Sequence, residues 1–326
     1  GGITTLCSIK INKKDRNINK NQNKINQINS LYSQRKYKEA LKESILLNEK
    51  SPNNSEILYL IGVIFNNLGK FEDAIINLTK SIKIKSNEAL AHFQLAQSFQ
   101  LLGRIEEAIN SYKNAIKHKN DFSEAYNMLG LSLTQLGKFE EASNSYKESI
   151  KVKPKQFEAY YNLGNNLQLM SKYEEAIDSY KNSIKFNPNY SDSYNNLGVI
   201  FDKIGKYDLS LEHFKKALEL KPENLGSINN MAHTYKKMGN YIKAIEKYDS
   251  INTNTSKSHA LECLYMLKDY KTINQRLNKY SESDKKNIRL GAFSSFISNQ
   301  LNQKDIFRFC AHPIDFIKVS NIKNHK

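Results

Sequence analysis

Cys310, His312 and Asp315 stand within RFCAHPIDF, residues 308–316, three chemically active side chains in six positions. A mononuclear iron facial triad needs two histidines and one carboxylate, and the HxxD spacing here supplies one of each. A nucleophilic or metal-bound cysteine needs a base or a second thiolate, and Cys310 has no thiolate partner nearby in sequence. Upstream, His92, His118, His213, His233 and His259 show neither HExxH nor other ligand spacing, and no glycine-rich phosphate loop occurs. They read as scattered surface or groove histidines. The chain by itself is therefore expected to hold no catalytic residue, cofactor or metal, and to work by recognition.

Bulk composition agrees with that expectation. A hydrophobic fraction of 39% with 25% charged residues fits a soluble chain. No run of about 18 apolar residues is present to span a bilayer, so no membrane partner is expected. The start, GGITTLCSIK, lacks the basic residues and apolar stretch of a secretory signal. It also lacks an initiator Met, as a processed chain or an excerpt would. Cys7, Cys263 and Cys310 are few, odd in number and far apart, which makes neither a disulfide framework nor a CxxC metal site. A reducing, cytoplasmic location is expected.

The elements that position any recognition surface come from a repeat. KFEDAIINLTKSIKI from Lys70, RIEEAINSYKNAIKH from Arg104, KFEEASNSYKESIKV from Lys138 and KYEEAIDSYKNSIKF from Lys172 align without gaps. Ala74, Ala108, Ala142 and Ala176 lie 34 residues apart, and the register continues through Ser210 and Ala244. Six units are therefore expected over residues 55–258, each stacked on its neighbours rather than closed on itself. Within a unit the spacing is helical: Tyr160, Leu163, Gly164 and Leu167, then Tyr173, Ala176, Tyr180 and Ser183. A break such as GKFEE or SKYEE separates two helices, and Pro154, Pro188 or Pro222 ends the second. Small residues recur at the eighth position (Gly62, Ala96, Gly130, Gly164, Gly198, Ala232) and the twentieth (Ala74 to Ala176), where the helices are expected to touch.

Carried on the pattern AYYNLGNNL…YEEAIDSYKNSIKFNP, the chain resembles the tetratricopeptide repeat family over about two thirds of its length. The resemblance implies an all-α tetratricopeptide repeat solenoid, a right-handed superhelix whose concave face is built mainly from first helices. Residues 21–54, with Ala40 and Pro52 in register, are expected to be a degenerate N-terminal repeat. Residues 1–20, rich in Asn and Lys, are expected to have no fixed fold. Residues 259–303 are expected to form a degenerate hairpin and a closing helix, with SESD at 281–284 starting that helix.

Function is then sought on the first helices. Asn162, Asn196 and Asn230 recur at the sixth position, with Gln94 at the same place earlier, while Met128 and Leu60 depart from the series. An amide donates and accepts at once, so such a ladder can satisfy the backbone of an extended peptide without reading its side chains. O-linked N-acetylglucosamine transferases are similar in carrying an asparagine ladder in their repeats. The competing explanation is that these amides are part of a general Asn bias. Gln94, Asn127, Asn162, Asn165, Asn195, Asn196, Asn229, Asn230 and His233 are the expected peptide-binding residues. Position five, with Asn127, Tyr161, Asn195 and Asn229, lacks the Lys and Arg of a carboxylate clamp. Glu56, Glu124, Glu158 and Asp192 suit the positive helix ends, the alternative being an acidic rim that selects basic or amine-bearing ligands.

A formal charge of +16 raises nucleic acid as a partner. Lys113, Lys147, Lys181 and Lys215, with Lys83, Lys117, Lys151 and Lys185, recur instead on second helices, as a solvated face. No specific nucleic-acid site is expected. The expected function is a scaffold that binds an extended segment of a protein partner. The alternative is the recognition arm of a larger enzyme: AFSSFISNQLNQKDIFRFCAHPIDFIKVSNI from Ala292 looks like the connector that follows such repeats in proteins continuing into a 2-oxoglutarate and iron(II) dependent oxygenase, and a glycosyltransferase is less favoured. Residues 304–326 are accordingly expected to be a tail or a linker, with Phe307, Phe309, Ile314 and Phe316 packing rather than reacting.

Overall fold

The computed structural model describes residues 13–283 and 288–300, all of its regular elements being α-helices. The chain divides between Ala176 and Ile177 into two compact units. The first holds α1 (Lys13–Ser33), α2 (Tyr37–Lys50), α3 (Ser55–Asn67), α4 (Phe71–Ile84), α5 (Ala89–Leu101), α6 (Ile105–His118), α7 (Ser123–Gln135), α8 (Phe139–Val152) and α9 (Phe157–Leu169). The division falls inside α10 (Tyr173–Phe186). The second unit continues with α11 (Ser191–Lys203), α12 (Tyr207–Leu220), α13 (Leu225–Lys237), α14 (Tyr241–Ile251), α15 (Asn254–Met266), α16 (Tyr270–Ser283) and α17 (Ile288–Gln300).

Each hairpin closes through one turn. Gly69 N–H donates to Asn66 O at 3.1 Å and Lys70 N–H to Phe65 O at 2.9 Å, the paired bonds of a helix that ends on a left-handed residue. Gly69, Gly103, Gly137, Gly205 and Gly239 hold that place with φ near +75°. Arg35, Ser171 and Lys268 hold it at φ 59°, 58° and 59°. Arg35 lies 34 residues before Gly69, so α1 and α2 join by the same turn as the six regular hairpins.

Inside each hairpin the small residues do what their spacing implies. A Cβ added at Gly62 would stand 2.5 Å from Leu78 Cγ, at Gly130 2.6 Å from Tyr146 Cε1, and at Gly198 2.6 Å from Phe214 Cε1. Leu78, Tyr146 and Phe214 are almost wholly buried, and Ala74, Ala142 and Ala244 completely so. The second helix thus lies on the first with one large side chain resting where a Cβ is missing.

Three boundaries differ from the sequence expectation. Helix α1 reaches back to Lys13, inside the segment expected to lack a fold. The buried Ile25 and Ile28 anchor it, and elongation from a formed helix needs only one new bond per residue. The sixth unit, expected to run to residue 258, is cut short. Helix α14 has 11 residues where α12 has 14, ends on left-handed Asn252, and α15 already starts at Asn254. Thr253 and Ser256 form a reciprocal capping box that starts α15 early. Lastly, Ser281, Glu282 and Ser283 belong to the end of α16 rather than to the start of α17.

Candidate functional site

In the first unit α1, α3, α5 and α7 border a groove of about 630 Å³. Its lining is Tyr32, Asn66, Asn67, Gln94, Gln97, Gln100, Leu101, Met128 and Gln135. Six of these nine side chains are carboxamides and none is charged, so the surface offers hydrogen bonds without a net field. Gln94, Gln97 and Gln100 share a stripe of α5 because residues three apart on a helix lie on one face. All three are half-buried, and Leu101 beside them is 62% exposed.

Internal bonds hold this floor. Asn66 Nδ2 donates to Gln94 O and Gln94 Oε1, each at 3.2 Å, and Asn66 Oδ1 accepts from Ser98 Oγ at 2.7 Å. Tyr112 Oη donates to Gln100 Oε1 at 2.8 Å. Asn67 Nδ2 donates to Tyr32 Oη at 2.9 Å. The link between Asn66 and Ser98, 32 residues on, recurs between Thr134 and Asn166 at 3.0 Å and between Asp202 and Thr234 at 3.0 Å. Position 12 of one first helix and position 10 of the next therefore form a polar seam. No expectation from the sequence included this seam or the groove residues Gln97, Gln100 and Gln135. The signal available for the glutamines is their three-residue spacing, which a search confined to the sixth position passes over.

The expected ladder residues divide between the two units. In the first, Asn162 Nδ2 donates to Asn127 Oδ1 at 3.0 Å; Asn127 is buried, while Asn162 and Asn165 are half-buried. In the second, Asn230 Nδ2 donates to Asn195 Oδ1 at 3.2 Å, which also accepts from Ser227 Oγ at 3.0 Å. Asn195 Nδ2 reaches Asn196 Oδ1 at 3.1 Å, and Asn196 Nδ2 reaches Tyr180 Oη at 3.4 Å. Asn229 is half-buried and His233 exposed. Position five thus binds position six of the following hairpin, 35 residues on, so part of the amide capacity is committed between neighbours. Met128 lines the groove, and Leu60 packs against the core cluster of Ile57, Ile61 and Ile64.

Charge is arranged around these faces rather than in the glutamine groove. Glu56, Glu124 and Glu158 are exposed on first turns, Glu124 pairing with Lys153 at 3.3 Å. The periodic lysines from Lys83 to Lys215 are all exposed. Residues 21–283 carry 36 Lys and Arg against 29 Asp and Glu, so most of the +16 lies in the remaining ends, 13 against 4. In the second unit Lys237 meets Asp202 at 2.5 Å and Lys236 meets Glu262 at 2.5 Å. Partial burial, then Lys237, holds the His233 imidazole below the usual histidine range. Cys263 is fully buried, and burial pushes its thiol up to about 11, which keeps it protonated and unreactive. Among the described residues no group of His, Cys, Asp and Glu could hold a metal, and no helix is long and apolar enough to cross a membrane. Cys310, His312 and Asp315, with the rest of residues 301–326, lie outside the described residues.

Two-helix units of constant period, closed by one left-handed turn and joined by polar seams, define an all-α helical-repeat protein. Family models for the tetratricopeptide repeat match residues 55–88, 157–190, 191–224 and 213–246, and a TPR repeat model matches 99–137 and 130–171. Together they cover more than half of the chain, which belongs to the tetratricopeptide repeat proteins. Among solved structures it is similar to the C-terminal part of a TPR repeat-containing protein from Cytophaga hutchinsonii, at TM-score 0.61 and 16% identity over 72% of this chain and 98% of that one. It also resembles the APC/C hetero-tetramer Cut9–Hcn1, at TM-score 0.56 and 20% identity over 73% of this chain and 48% of that one. YrrB, described as a TPR protein with an unusual peptide-binding site, matches at TM-score 0.51 and 18% identity over 59% of this chain and 97% of YrrB. At these identities the likeness is one of fold. No curated protein matches the sequence.

Proposed function

We propose that the chain is a protein-interaction scaffold that binds an extended peptide segment on the faces of its first helices. The observation that carries this reading is the groove bordered by α1, α3, α5 and α7, whose carboxamides offer both donors and acceptors to a peptide backbone. The same fold carries a peptide-binding site in YrrB. Asn162 in the first unit, and Asn196 and Asn230 in the second, extend the same amide chemistry along the repeat; committing one amide bond to a neighbour still leaves a carboxamide further capacity.

The test is selection of displayed random 12-residue peptides on the immobilised full chain, followed by affinity measurement in solution. Peptides that bind and compete with one another for one surface are expected. A chain on which no peptide is enriched is not a peptide scaffold. The recognition arm of a larger enzyme is a second reading, favoured by the connector-like stretch from Ala292. It is tested in the source gene beyond Lys326, where an open frame with an HxD motif and a distal His supports it and an immediate stop codon removes it.

A further inference from the structure

We infer that the first-unit groove takes an uncharged extended segment of a partner protein by its backbone carbonyls, through a donor row of Gln94, Gln97 and Gln100, with an aliphatic side chain of that segment seated on Leu101 and Met128. This rests on the peptide-binding reading above and specifies its ligand.

A glutamine side chain is ordinarily ambivalent, but two of these three are oriented. Gln94 Oε1 is held by Asn66 Nδ2, and Asn66 is oriented by the Gln94 main-chain carbonyl, since turning Asn66 over would set its oxygen against that carbonyl oxygen in place of the 3.2 Å bond; the Ser98 hydroxyl can serve either orientation. Gln100 Oε1 accepts from the Tyr112 hydroxyl. Tyr112 is completely buried and its hydroxyl has no other acceptor among the described residues, so turning Gln100 over would leave a buried O–H unpaired. With both oxygens committed inward, the Nε2 groups of Gln94 and Gln100 are left to the groove, and among the described residues neither has an acceptor. Gln97, between them, has no internal partner and can adapt.

At about 1.5 Å rise per residue the row is about 9 Å long. Carbonyls on one edge of an extended strand recur every 6.6 Å or so, so two of them fit the row. Charged side chains fit poorly. A lysine or arginine finds no carboxylate among the lining residues, and desolvating it there is unfavourable. An aspartate or glutamate meets no cation in the lining, and desolvating it there is likewise unfavourable. Leu101 and Met128 are apolar, reachable and adjacent to the donor row, which gives an aliphatic side chain its seat.

The 12-residue peptides selected on the full chain are the probes. They are expected to share an aliphatic residue within a stretch free of Asp, Glu, Lys and Arg; a charge required at a fixed position overturns the inference. The full-chain double variant Gln94→Glu/Gln100→Glu keeps the inward acceptors and turns the outward donors into carboxylate oxygens. It is expected to weaken these peptides about tenfold or more. Gln97→Glu, at a side chain with no internal partner to lose, is expected to weaken them in the same direction while leaving the melting transition in place. Lys113→Gln/Lys147→Gln, at exposed positions on second helices, is expected to leave their affinity unchanged. Peptides that bind but ignore the Gln94, Gln97 and Gln100 variants overturn this inference and leave the scaffold reading standing. If no peptide binds at all, both fail.

Discussion

One hairpin of each unit shows how far the same repeat positions can differ in chemistry. Positions 6, 9, 12 and 13 read Gln94, Gln97, Gln100 and Leu101 in the first unit, and Asn230, His233, Lys236 and Lys237 in the second. In the first unit the neighbouring first helices are tied by neutral bonds such as Ser98 to Asn66. In the second the same positions tie through ions, Thr234 and Lys237 both meeting Asp202. The backbone hardly distinguishes them, since both use the same turn and the same glycine contact. The repeat therefore decides where side chains stand, and the residues at a few surface positions decide what can be bound.

The sharpest way to test that the scaffold is common to both units is to overfill it in each. Gly130→Val in the first unit and Gly198→Val in the second place branched carbons into Tyr146 and Phe214. Each is expected to lose about 1–3 kcal/mol in urea denaturation followed by circular dichroism. A unit that absorbed the change without loss would show that the close contact is not shared.

The polar seams come next in size. Asn66→Ala and Asp202→Ala each remove an acceptor between hairpins, and a loss of about 0.5–1.5 kcal/mol is expected for either. The comparison predicts that they differ in salt dependence. The Asp202 variant also loses the Lys237 pair, so its deficit shrinks as NaCl rises, while the Asn66 deficit stays level. Equal salt responses would break the neutral-against-ionic distinction.

A smaller effect, of opposite sign, is expected at the turns. Ser171→Gly in the first unit and Lys268→Gly in the second remove a side chain from left-handed backbone, and each is expected to gain about 0.5–1 kcal/mol. The smallest effect is titration of His233. Its folded pKa lies below that of an ordinary histidine, so the unfolded chain takes up the proton more readily. Stability is then complete above the unfolded pKa and falls as pH drops below about 6.5. The urea midpoint of the parent chain, relative to His233→Gln, is expected to decline over that range; a midpoint that rises would reverse the sign.

Much of the fold was readable because a repeat states its own register. Ala74 to Ala176 and the GK turns mark helices, boundaries and close contacts that the structure reproduces. Arg35, Ser171 and Lys268 were harder to see as turn residues, since none is the glycine that left-handed backbone favours. The site was less legible. Asn162 and Asn230 recur visibly, but their bonds to Asn127 and Asn195 join residues 35 apart, and no periodicity says which amide faces a neighbour. The early start of α15 was hidden likewise, because Thr253 and Ser256 act as a cap only once α14 has stopped at Asn252.

By itself the sequence determined the hairpin, its period and the positions that had to be small, because helical spacing and steric limits act within tens of residues. The tertiary structure alone decided which polar groups are committed inward and which are left for a partner. Gln94 and Gln100 become donors only because Asn66, on the preceding first helix, and Tyr112, on the following second helix, take up their oxygens. That assignment depends on groups brought within hydrogen-bond distance by the stacking of hairpins, a contact that local pattern does not encode.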